Sequence, residues 1–168
     1  MLLCALIIIF SVAADQITKY LVLQNIEMYE EVAVLPGIFH FTYIENKGAA
    51  FGMLSEHRWV FLVISTIAIV IFIAYLIKYK PKDVLLRASL SMVVGGGIGN
   101  MIDRCIRGSV VDFIEVEFID FYVFNVADMF VCVGCGLMIL YMILSELKES
   151  KAKKAIKEEE TINANEPE

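Results

Sequence analysis

FYVFNVADMFVCVGCGLMILYMIL, from Phe121 to Leu144, is twenty-four residues with a single charge, Asp128. A helix needs about 20 predominantly apolar residues to cross the hydrocarbon core of a bilayer. The stretch meets that length and keeps one acid near its end, where an ionised carboxylate is costly. Three further runs share its character. Leu2–Leu23 opens with thirteen uncharged residues before Asp15, Trp59–Ile77 holds no charge, and Val84–Ile102 holds only Arg87. The chain therefore reads as an all-α membrane protein with four transmembrane helices, at about 2–23, 59–77, 84–102 and 121–144. Composition agrees: 59% of the 168 residues are hydrophobic and the mean hydropathy is +0.72, well above a soluble domain.

The first run ends in Ser11-Val-Ala-Ala14, which resembles a signal-peptide cleavage site, but no basic segment precedes it. It reads as a retained helix. Lysine and arginine set the orientation. Lys78, Lys80, Lys82 and Arg87 cluster around the second loop, and Lys148, Lys151, Lys153, Lys154 and Lys157 follow the fourth helix. The long first loop, about 24–58, has only Lys47 and Arg58. The third loop has Arg104 and Arg107 against Asp112, Glu115, Glu117 and Asp120. The positive-inside bias then puts both termini in the cytoplasm and the first and third loops outside. Residues 1–147 form one membrane domain. Residues 148–168, ending in Glu158-Glu-Glu160 and carrying much of the net charge of −6, read as a disordered cytoplasmic tail. No basic stripe with interleaved aromatics appears, so nucleic acid is not an expected partner.

In the first loop, Val32–Leu35 and Ile38–Ile44 read as two strands around Pro36-Gly37. Phe39, Phe41 and Tyr43 share one strand face, suited to the membrane interface. His40, on the other face, has no metal-binding neighbours and reads as a polar strand residue. Asn46-Lys-Gly-Ala-Ala-Phe-Gly52 follows as a turn. Cys132-Val-Gly-Cys135 lies inside an apolar helix without histidine, so packing outweighs a zinc or redox role. Gly95-Gly-Gly-Ile-Gly99 lacks the lysine and preceding strand of a phosphate loop, whereas Gly95 and Gly99 make a small-xxx-small face for helix contact.

Polar residues in the membrane runs fall into helically spaced sets: Asp15 with Lys19; Asn100 with Asp103 and Arg104; Asn125 with Asp128. With the orientation above, all lie toward the outer leaflet, Asp128 about 10 Å into the fourth helix at 1.5 Å per residue. Two readings stay open for the first sets. Asp15–Lys19 is either an intrahelical pair or part of a site, and Asp103–Arg104 is either an interfacial charge cluster or part of a site. Asp112 and Asp128 differ, because neither has a cation at i±3 or i±4. Two carboxylates sharing a site do not ionise together, and the resulting acid and base suit peptide hydrolysis. No Ser-His or Cys-His set competes, since His40 and His57 both lie in the first loop.

Five motifs in order make the chain similar to the signal peptidase II family of bacterial membrane aspartic proteases: Asp15-Gln-Ile-Thr-Lys19, Asn46-Lys-Gly-Ala-Ala-Phe51, Gly99-Asn-Met-Ile-Asp-Arg104, Gly108-Ser-Val-Val-Asp-Phe113 and Phe124-Asn-Val-Ala-Asp128. The resemblance extends to the end of the fourth helix. It implies four transmembrane helices with a small extracytoplasmic β-cradle, and a catalytic pair Asp112 and Asp128. It implies that Asp15, Lys19, Asn46, Gly48, Asn100, Asp103, Arg104 and Asn125 shape the site or bind substrate, with no metal and no cofactor. The substrates it implies are diacylglycerated prolipoproteins, cut before the lipid-modified cysteine. The expected partners are these substrates and membrane lipid, with no obligatory protein partner. The location is the cell membrane, multi-pass, with the active site near the outer leaflet. Rival readings fit less well. A phosphatidyltransferase would need more than Gly108-x3-Asp112, a presenilin-type protease would need aspartate at Asn100, and a proton-coupled carrier would use Asp112 and Asp128 as a relay.

Overall fold

The computed structural model describes residues 1–48, 58–119 and 121–164. Ala49–Gly52 of the turn motif, His57 and Asp120 lie outside the described residues. In chain order the elements are α1 (Leu2–Asn25), β1 (Glu31–Leu35), β2 (Phe39–Asn46), α2 (Arg58–Tyr79), α3 (Val84–Ile106), β3 (Val110–Val116) and α4 (Val126–Ala164). Among the described residues, four helices are long and apolar enough to cross a membrane, over Leu2–Asn25, Leu62–Tyr79, Val84–Ile106 and Val126–Lys151.

The bundle is inside-out relative to a soluble protein. Side chains such as Ile9, Phe10, Ile64, Ile71, Ile139 and Ile143 face outward, while Ser11, Asp15, Lys19, Ser89, Ser91, Asp103 and Asn125 are fully buried. Lipid solvates the apolar faces, and the polar groups find partners only inside. Central α3 packs on α1, α2 and α4. Its glycines allow this: a Cβ on Gly95 would lie 2.6 Å from Ser11 Cβ, and one on Gly99 would lie 2.5 Å from Asp15 Oδ2. The small-residue face expected from Gly95 and Gly99 thus meets α1, and Gly96 meets α4 at Ala127 and Val131.

A three-stranded antiparallel sheet, ordered β1-β2-β3, covers one end of the bundle. Leu35, Pro36, Gly37 and Ile38 form the β1–β2 turn, with Ile38 N donating to Leu35 O at 2.9 Å and Gly37 at φ +77°. That positive φ at the third turn position suits glycine. The third strand is absent from the sequence reading, which treats residues 103–120 as loop, whereas α3 runs to Ile106 and β3 follows. Gly108, at φ +80° just past the end of α3, turns the chain into it. Phe41 and Tyr43 pack with Val22, Val111 and Phe113 between sheet and α1, so these two rings serve a small core and not the membrane interface.

Two helix limits differ from expectation. Phe124 exchanges backbone hydrogen bonds with Ile114, which holds residues up to Asn125 against β3 and starts α4 at Val126. Asp128 is therefore in the first turn of α4, and not 10 Å along it. At the other end α4 runs to Ala164, helical where disorder was expected after residue 147. That segment is rich in Ala, Glu and Lys, all good helix formers, and Glu149 pairs with Lys153 at 3.1 Å.

Candidate active site

Strand alternation aims Asp112. Val111 and Phe113 point into the small core with Val22, so Val110 and Asp112 point the other way. There they line a cavity of about 110 Å³ together with Asn46, Asn100, Arg104, Tyr122 and Asp128. Asp112 and Asp128 thus share one enclosure, as the unpaired acids suggested. Val110 and Tyr122 were missed by sequence reasoning. The alternation of Val110-Val-Asp-Phe113 carried a signal for the first; nothing local marked the second.

Asn125 is the N-cap of α4. Its Oδ1 accepts from Asp128 N at 3.0 Å while Asp128 Oδ2 accepts from Asn125 N at 3.1 Å, a reciprocal capping box. With Oδ1 committed, Asn125 Nδ2 donates to Asp112 Oδ1 at 2.6 Å and to Asn100 Oδ1 at 3.0 Å. Asn100 Nδ2 in turn donates to Asp128 Oδ1 at 2.8 Å. Asn46 ends β2, with its Oδ1 accepting from Gly48 N at 2.9 Å, which directs its Nδ2 onto Asp112 Oδ2 at 2.9 Å. Three amides therefore orient the two acids, each held by a contact that leaves one orientation.

Asp112 is 4% exposed. Burial pushes its carboxyl up to about 6 from an ordinary 3.8, and the Asp128 charge adds to this, while donation from Asn46 and Asn125 opposes it. Arg104 lies along the cavity wall, with its Nη2 3.5 Å from Gly48 O and its Nη1 3.4 Å from Asn100 O.

Below this layer sits a buried ionic group. Lys19 Nζ is 2.9 Å from Asp15 and 3.0 Å from Asp103, all three side chains being essentially inaccessible. The reading of Asp103 and Arg104 as a surface charge cluster is thus replaced: Asp103 turns inward to Lys19, with Arg107 Nε 3.9 Å away, and Arg104 turns to the cavity. Asp15 and Lys19 do pair within α1, but the pair is shared with α3. Gln16 joins them, donating to Asp15 at 3.1 Å, Gly99 O at 3.2 Å and Asp103 at 3.3 Å. None of Asp15, Lys19 and Asp103 lines the cavity.

A wider groove of about 490 Å³ abuts the cavity at Tyr122 and is lined also by His40, Glu115 and Glu117. His40 bridges Glu115 at 3.0 Å and Glu117 at 3.3 Å across β2 and β3. Among the described residues no three His, Cys, Asp or Glu side chains are grouped to hold a metal ion. Cys132 and Cys135 are free thiols.

Comparison with known proteins gives this arrangement a family. Residues 7–144 match the profile of signal peptidase (SPase) II. The chain is 43% identical over 142 residues to a lipoprotein signal peptidase of Symbiobacterium thermophilum, covering 83% of this chain and 93% of that protein. It is 38% identical over 148 residues to one of Bacillus subtilis, covering 87% and 96%. A bacterial membrane enzyme solved by the in meso method at 2.3 Å superposes with a TM-score of 0.82 at 31% identity, covering 87% of this chain and 90% of that one. A second, at 1.9 Å, gives 0.78 at 32% identity, covering 84% and 93%. With more than three quarters of its length matched, this four-helix membrane protein belongs to the signal peptidase II family of peptidases.

Proposed function

We propose that the protein removes signal peptides from diacylglycerated prolipoproteins by aspartate-activated water, cutting before the lipid-modified cysteine. The observation that carries this reading is the enclosure of Asp112 and Asp128 in one small cavity, bridged by Asn100 and Asn125. Asp128 occupies the first turn of α4, where the helix N-terminus favours an anion, and it accepts from two N–H groups. It is the base. Asp112, in drier surroundings, holds the shared proton and is the acid.

The steps follow. Asp128 takes a proton from water as the water oxygen attacks the scissile carbonyl carbon, and Asp112 gives its proton to the carbonyl oxygen. The tetrahedral intermediate then collapses: the C–N bond breaks, Asp128 returns its proton to the leaving amine, and Asp112 recovers one from the hydroxyl. The donors around the pair need no rearrangement, so the site is preorganised. No step calls for a metal, a cofactor or a second protein.

The lysine and arginine bias supports a cell-membrane protein with cytoplasmic termini and an active site near the outer leaflet. A substrate anchored by acyl chains presents its cleavage point at that depth. The test uses purified protein in detergent with a diacylglycerated prolipoprotein, comparing wild type with Asp112→Asn and Asp128→Asn. Both variants should lose cleavage by at least about 10³-fold; wild-type turnover in either would end the acid-pair mechanism. Cleavage without any ion gradient distinguishes it from a proton-coupled carrier.

A further inference from the structure

Lys19 is 1% exposed, lies on α1 below the cavity, and lines no part of it. Its ammonium nevertheless leads to both proposed catalytic acids by three routes. Asp15, paired with it at 2.9 Å, accepts through Oδ1 from Ala127 N at 3.0 Å, the residue before Asp128. Asp103, paired at 3.0 Å, accepts through Oδ2 from Val111 N at 3.2 Å, the residue before Asp112. Asn100 Oδ1 accepts from Lys19 Nζ at 2.9 Å, and its Nδ2 donates to Asp128.

We propose that Lys19 is the positioning residue of the acid pair: one buried ammonium sets the separation of Asp112 and Asp128 and the polarity of the amide between them. This rests on the reading of those two aspartates as the catalytic pair. An ammonium carries three donors and no acceptor. It therefore obliges the oxygen of Asn100 to face α1 and the NH2 group to face Asp128. Asn125 Nδ2 donates to the same oxygen at 3.0 Å, so a neutral side chain in place of Lys19 would remove one of the two donors that keep the NH2 group toward Asp128. The two backbone anchors add distance control. Each carboxylate grips the N–H immediately before an acid, and both carboxylates are drawn to one point. A plain helix staple would need only one of these links.

Lys19→Met alone leaves Asp15 and Asp103 uncompensated in the interior and is expected to fold poorly. Lys19→Met with Asp103→Asn keeps the buried net charge of the wild type, and the amide oxygen still accepts from Val111 N. In that variant kcat should fall about 30-fold or more while KM changes less than about 3-fold, since small misplacement of reacting groups costs rate before binding. The melting temperature in detergent should move little. Combining the pair with Asn100→Ala should cost less than the product of the separate losses, because both act through one amide. An unchanged kcat, or kcat, KM and melting temperature declining together, would overturn the proposal. Should the double variant lose its melting transition, Lys19→Arg, which keeps the charge but not the shape, is read by the same split. Failure of both to fold assigns Lys19 to the fold alone and also overturns it. Asp112→Asn and Asp128→Asn are run alongside. Retained cleavage there defeats the catalytic assignment, whereas dead aspartate variants with a fully active Lys19 variant defeat only this inference.

Discussion

Asn125 donates from Nδ2 to Asp112 at 2.6 Å while its Oδ1 caps the backbone N–H of Asp128 at 3.0 Å, so one side chain both starts α4 and links the two acids. The roles separate by substitution. Serine caps a helix about as well as asparagine but is too short to reach Asp112. Asn125→Ser should melt within a few degrees of wild type and lose cleavage by on the order of 10²-fold. Equal losses in both would make the residue a cap only.

Asp112 sets a pH dependence whose sign is fixed by its raised pKa. Its carboxyl holds the proton up to about 6 when folded, against 3.8 when unfolded. Between those values the native state binds more protons than the unfolded one, so stability is full below about pH 4 and falls as pH rises toward 6. A tenfold change in proton affinity is worth about 1.4 kcal/mol, which puts that loss on the order of 3 kcal/mol. Asp112→Asn should flatten this slope, read as melting temperature against pH. In the wild type, kcat/KM should decline as pH rises through about 6, and kcat should decline at higher pH because bound substrate further dries the site.

The helices were legible because membrane-length apolar runs need no tertiary information, and the same runs made Asp128 conspicuous. What the chain hid is what distant segments decide. Phe121–Phe124 is as apolar as the helix it precedes, and pairing of Phe124 with Ile114, together with the Asn125 cap, keeps it out. The i,i+4 logic that links Lys19 to Asp15 says nothing of Asp103, which reaches Lys19 only because Gly95 and Gly99 let α1 and α3 close up. Asp103 and Arg104, adjacent in sequence, part to opposite tasks for the same reason.

Gly99 offers a sharp test of that packing. A Cβ there would lie 2.5 Å from Asp15 Oδ2 and 3.3 Å from Ala127 Cβ, against a carboxylate held in place by Lys19 and Ala127 N. Gly99→Ala should cost about 2 kcal/mol or more and lower kcat through the displaced Asp15–Ala127 link. Gly136, with nothing within 4 Å, is the control. Gly136→Ala should be neutral or stabilising by up to about 1 kcal/mol, from helix propensity alone. Unfolding in detergent measures both, and equal effects would mean that close approach at Gly99 is not needed.

His40 tests where the site ends. It bridges Glu115 and Glu117 from the middle of the sheet, and Glu117 also accepts from Gly37 N at 2.7 Å, so the cluster ties β2, β3 and the β1–β2 turn. None of these three lines the cavity of the acid pair. A structural role predicts that His40→Gln loses about 1 kcal/mol and keeps kcat within about twofold. A role in proton transfer predicts instead a loss of kcat comparable with that of Asp112→Asn. Steady-state cleavage by the variant decides between them, because the sheet still holds Asp112 through the β2–β3 register at Ile44 and Asn46.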